Sequence, residues 1–83
     1  MNIGTPLGYR YGMTEYVRRA EAESVARAVE AGQIEYVSRE AMLRAVAFYT
    51  LKANSAQGFD AMADAHNVQA MIRRALSRRT NGR

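Results

Sequence analysis

The stretch Ala31-Gly32-Gln33-Ile34-Glu35-Tyr36-Val37-Ser38-Arg39-Glu40-Ala41-Met42 decides how the chain is organised. No helix breaker lies between Thr14 and Gly32, and glycine is the residue that ends helices in the left-handed conformation, so a first helix closes at Gly32. Ser38 then opens a second helix, because its hydroxyl can accept from a backbone N–H of the first turn. Val37 precedes that cap and Met42 is the fourth residue after the cap, the spacing of a hydrophobic staple. The few residues between, Gln33 to Val37, alternate polar and apolar too briefly for a sheet and read as a connector.

Upstream, Thr14 is an acceptable cap and Glu15 suits the positive end of a helix dipole, which places the first helix at about 15–31. Val17, Ala20, Ser24, Val25, Ala28 and Ala31 follow three-to-four spacing and are its expected inner stripe. Arg18, Arg19, Glu21, Glu23, Arg27 and Glu30 fill the remainder. The pairs Arg19–Glu23 and Glu23–Arg27, four apart, are each worth about 0.2–0.5 kcal/mol on an exposed face. The segment 1–12, with Gly4, Gly8, Gly12 and the lone Pro6, reads as an extended arm with Leu7, Tyr9 and Tyr11 on one side.

Downstream, the second helix runs over about 39–53. Met42, Leu43, Val46, Ala47, Tyr49, Thr50 and Ala53 form a broad apolar face, with Phe48 and Leu51 outside its centre. A helix apolar nearly all round is either central in a bundle or exposes a patch that another chain covers. Asn54-Ser55-Ala56-Gln57-Gly58 reads as a reversing turn, in preference to one continuous helix over 39–79 that would be roughly 60 Å long. The third helix, about 59–79, carries Ala61, Ala65, Val68, Ile72, Ala75 and Leu76 on one stripe flanked by Met62 and Met71. Its small residues come first and let that half approach a neighbour closely. Residues 80–83 are a polar tail. The expected fold is an all-α, hairpin-like three-helix bundle with an extended N-terminal arm.

Eighty-three residues leave room for a single small domain. A core this size supplies limited stability, so help from a partner or a second copy is physically reasonable. The absence of cysteine excludes disulfides, thiol catalysis and Cys-based metal sites. The chain offers no apolar run long enough to span a membrane and no basic-then-apolar leader, which gives the expectation of a cytoplasmic protein.

The net charge of +4 is unevenly placed. Residues 1–65 carry seven basic and eight acidic side chains, whereas residues 66–83 carry Arg73, Arg74, Arg78, Arg79 and Arg83 with no acid. The basicity is therefore a C-terminal property. Cations at a helix C-terminus are favoured by the dipole, by about 0.3–1 kcal/mol each, and the same five are the candidates for phosphate contacts with nucleic acid. A helix-turn-helix is disfavoured, since Phe59, Asp60, Met62, Ala63 and Asp64 would enter the groove of DNA.

Enzyme chemistry finds few parts. Asp60 and Asp64 share a helix face at the spacing of a shared cation, but His66 lies about 200° around the helix from Asp64, so the three do not converge. The glycines of the N-terminal segment fit neither phosphate-binding fingerprint. No metal, cofactor or small-molecule substrate is expected. The expectation is a non-enzymatic interaction or assembly module, acting as an oligomer or as an adaptor in a larger complex. Its partner-binding candidates are Tyr9, Arg10, Tyr11, Phe48 and Leu51, because Tyr and Arg are frequent interface anchors and the apolar residues exceed what a three-helix monomer buries. Nucleic-acid binding through the five C-terminal arginines is the alternative.

Overall fold

In a computed structural model, the described residues are 4–81 for the backbone and 18–79 for the side chains. The chain forms three helices, α1 (Gly4–Ala31), α2 (Arg39–Asn54) and α3 (Phe59–Asn81), with a 3₁₀ turn at Ile34–Tyr36 and no strand among the described residues. The arm expected over 1–12, and with it Tyr9, Arg10 and Tyr11, lies outside the residues whose side chains are described.

The junctions form as local chemistry dictates. Gly32 takes φ +74°, its N–H donates to the Val29 carbonyl at 3.1 Å, and the Gln33 N–H donates to the Ala28 carbonyl at 2.9 Å. That pair of bonds is a Schellman closure, and it satisfies carbonyls the helix end would otherwise leave bare. At the other side of the connector, Ser38 is extended and its Oγ accepts from the Ala41 N–H at 3.0 Å. Val37 packs against the core cluster that contains Met42, as the staple requires. The second reversal is a true hairpin: the Ser55 N–H and Oγ both donate to the Leu51 carbonyl, at 3.0 and 2.8 Å. Gly58 follows at φ +119°, and its carbonyl accepts the first bond of α3, from the Met62 N–H. A serine that ties off the last turn, followed by a glycine in a conformation other residues avoid, prevents α2 from continuing into α3.

α2 is the central helix: it packs most extensively on α3, then on α1, while α1 and α3 touch less. The core consists of Ala22 and Val25 from α1, Met42, Ala45 and Tyr49 from α2, and Ala65, Ile72 and Ala75 from α3. Four of these eight are alanines, so the helix axes approach closely and Met42 and Ile72, both fully enclosed, supply the bulk. Each such side chain contributes about 1.5–3 kcal/mol through burial. Across α2 and α3, the Gln69 Nε2 donates to the Thr50 Oγ1 at 3.1 Å, and that hydroxyl donates to the Val46 carbonyl.

Three expected faces are corrected. On α1 the inner stripe is Ala22, Val25 and Val29, with Ala26 and Ala28 beside it, while Ala20, Ser24 and Ala31 are exposed. On α2, Leu43 and Ala47 face outward and Ala45 takes the central position. On α3 the stripe from Ala65 to Leu76 is as expected, but Ala61 is exposed and the buried Ala75 interrupts the taper from small to large. The i,i+4 pairs on α1 do not close: among the described residues the ion pair is between Glu21 and Arg44, on different helices.

Candidate functional site

Along α2, Arg44, Phe48, Leu51 and Ser55 recur at intervals of three and four, with Ala47 and Lys52 flanking them, and so occupy one side of the helix. This is a second stripe, distinct from the buried Met42, Ala45 and Tyr49. Where it meets the Arg18–Arg19 turn of α1 the two helices leave a groove of about 510 Å³, lined by those six α2-side residues and the two arginines. Its apolar lining comes from Ala47, Phe48 and Leu51. Among the described lining residues are four cations and no acid, although Glu21 pairs with one of them, Arg44.

The interhelical ion pair fixes the rim. Arg44 donates from Nε to Glu21 Oε1 and from Nη2 to Glu21 Oε2, both at 2.8 Å, the two-pronged geometry that a planar guanidinium gives a carboxylate. The hydrogen bonds from Arg44 hold the Glu21 carboxyl below its ordinary 4.5, against a smaller opposing effect of burial. Arg44 is thereby neutralised, which leaves Arg18, Arg19 and Lys52 as the cations of the groove with no ion pair in the described structure. Below them the Phe48 ring meets Tyr49 edge-on, with centroids 5.1 Å apart, and Lys52 Nζ stands 5.9 Å from the centroid of the Tyr49 ring. Burial pushes the Tyr49 phenol above its ordinary 10.0, with Glu23 adding to the shift and Arg27 opposing it.

The two partner-binding candidates on α2 therefore come together, though unequally. Leu51 is 64% exposed, whereas Phe48 is half-buried and packs against the core, so it is a wall of the groove rather than surplus surface. The sequence reading missed Arg18, Arg19, Arg44 and Lys52. The spacing of Arg44, Phe48, Leu51 and Lys52 was the available signal, but the contribution of α1 has no counterpart in local sequence.

The five C-terminal arginines are not equivalent. Arg73 and Arg74 are exposed and, with Ala70 and Ser77, border a shallow hollow of about 300 Å³. Arg78 is exposed as well. Arg79 turns inward: its Nη1 donates to the Val37 carbonyl, lies 3.5 Å from the Ile34 carbonyl and stands 3.5 Å from Met42 Sδ. It pins the end of α3 to the connector between α1 and α2. Arg83 lies outside the described residues. Asp60, Asp64 and His66 are exposed, and no group of three potential metal ligands occurs among the described residues. No helix of the described residues is long and apolar enough to cross a membrane.

Comparison with protein-family models, curated proteins and solved structures finds no match to this chain.

Proposed function

We propose that this protein is a non-enzymatic interaction module, working as an oligomer or as an adaptor in a larger complex, and that the groove between α1 and α2 is its docking surface. The observation that carries this reading is the lining: apolar Ala47, Phe48 and exposed Leu51 beside the cations Arg18, Arg19 and Lys52. Desolvated carbon surrounded by charge is the anatomy of a protein-binding patch, in which the centre supplies affinity and the rim supplies orientation. The hydroxyl in the lining, Ser55 Oγ, is already spent on the Leu51 carbonyl.

The test is photocrosslinking in the host cell from benzoylphenylalanine placed at position 51, with the exposed position of Glu30 as the control. A discrete protein adduct from position 51, absent from position 30 and lost when Arg18 and Arg19 become Glu, is the expected result. No adduct, or an adduct with nucleic acid, would overturn the reading.

The exposed Arg73, Arg74 and Arg78 support a second reading, contact with nucleic-acid phosphates. Arg79 is withdrawn from that set by its hydrogen bonds to the connector.

A further inference from the structure

The groove has a chemical complement elsewhere on the same molecule. From Ala53 to Ile72 the chain contains no Lys or Arg, and the first turns of α3 expose Phe59 at 75% and Met62 at 41%, next to the exposed carboxylates Asp60 and Asp64. One surface is apolar with cations that make no ion pair among the described residues; the other is apolar with acids. Phe59 cannot be serving its own groove, because three-quarters of it remains in solvent. Yet Ser55, the last lining residue, is only four positions before Phe59, so both surfaces sit at the same end of the α2–α3 hairpin.

We propose that the groove is filled by the start of α3 from a second copy of this chain. Phe59 lies against Ala47, Phe48 and Leu51, and Asp60 and Asp64 face Arg18, Arg19 and Lys52. The proposal rests on reading the groove as a docking surface and names its occupant. Because groove and insert share one end of the molecule, a two-fold axis lets each copy fill the other's groove, and every contact is made twice. That duplication matters: a single helical turn in a groove falls short of the roughly 1,000 Å² that a specific interface needs, whereas reciprocal insertion doubles the buried area and closes the assembly at two.

Sedimentation equilibrium on the full chain at low salt tests this. The wild-type protein is expected to show the mass of two chains at micromolar concentration and to dissociate as salt screens the rim. Phe59→Ser should weaken self-association by more than about 100-fold, since an anchor is lost twice. Two charge-reversed proteins make the decisive comparison. One carries Arg18→Glu, Arg19→Glu and Lys52→Glu; the other carries Asp60→Lys and Asp64→Lys. Each alone should be monomeric with a wild-type helical circular-dichroism spectrum. Mixed in equal amounts they should recover the two-chain mass, because each groove then meets an insert of opposite sign.

A monomeric wild type, undiminished dimers of either reversed protein, or a mixture that stays monomeric would overturn self-docking. The broader reading fails separately: a monomeric wild type that still crosslinks through position 51 to a different protein loses this occupant but keeps the docking surface. The absence of any adduct at position 51 removes both.

Discussion

Replacing Arg79 by Met separates a structural arginine from its solvated neighbours. Met keeps the aliphatic stem, so packing near Met42 is largely retained, while the charge-assisted donation to the Val37 carbonyl disappears. A hydrogen bond to a charged group is worth about 1.5–3 kcal/mol, and the lower end applies because Arg79 is only half-buried and the freed carbonyl can recruit water. The second carbonyl, Ile34 at 3.5 Å, is at the limit of a hydrogen bond and adds little. A loss of about 1–2 kcal/mol is expected, which for a domain of this size lowers Tm by roughly 5–15 °C. The assay is thermal and urea denaturation followed by helical circular dichroism, with Arg78→Met as the matched control. Arg78 is exposed and makes no side-chain hydrogen bond or ion pair among the described residues, so its replacement should stay within about 0.5 kcal/mol of wild type. Arg79→Lys should recover part of the loss, since an ammonium can still donate to a carbonyl. Equal stabilities for the Arg79→Met and Arg78→Met proteins would refute the assignment of Arg79 as the pin between α3 and the connector.

Ser38→Ala removes the acceptor for the Ala41 N–H and should destabilise the protein by about 1 kcal/mol in urea unfolding, whereas Ser38→Asp should preserve stability. The Glu21 carboxyl has a folded pKa below its ordinary 4.5, so the stability it contributes is present above that ordinary value and is lost as pH falls through the lower folded value. Wild type and Glu21→Gln should therefore differ at neutral pH and converge in acid, with added salt shrinking the neutral-pH gap; parallel acid-unfolding curves would contradict the pairing. If the C-terminal arginines engage duplex DNA, four phosphate contacts from Arg73, Arg74, Arg78 and Arg83 predict a slope of log K against log salt of about −3.6, in place of about −4.5 for all five. A flat response in a fluorescence-anisotropy titration would exclude that interface.

The parts of this fold that were legible in the sequence are those held by bonds a few residues long. Ser38 caps α2 because the N–H it serves is three positions away, and Gly32 closes α1 through partners three and five positions apart. The stripe of α3 was legible because Val68, Ile72 and Leu76 stand out against polar neighbours. The inner face of α1 was not, since alanines at 20, 22, 26, 28 and 31 surround the helix and give its hydrophobic period several equal solutions. Contact with α2 chose among them, selecting Ala22 and Val25, and the same contact drew Glu21 to Arg44 across 23 positions instead of to a neighbour on its own helix.

The fates of individual side chains at long range belonged to the tertiary structure alone. Arg73, Arg74, Arg78 and Arg79 are one composition in the sequence, yet Arg79 finds a carbonyl 42 positions away and becomes half-buried while the others stay exposed. The groove likewise needs Arg18 and Arg19 brought beside Phe48 and Leu51. Helix ends answer to backbone donors and acceptors within a turn, which sequence order specifies directly. A docking surface answers to which helices lie side by side, and that is settled only when the small core of alanines, Met42 and Ile72 closes.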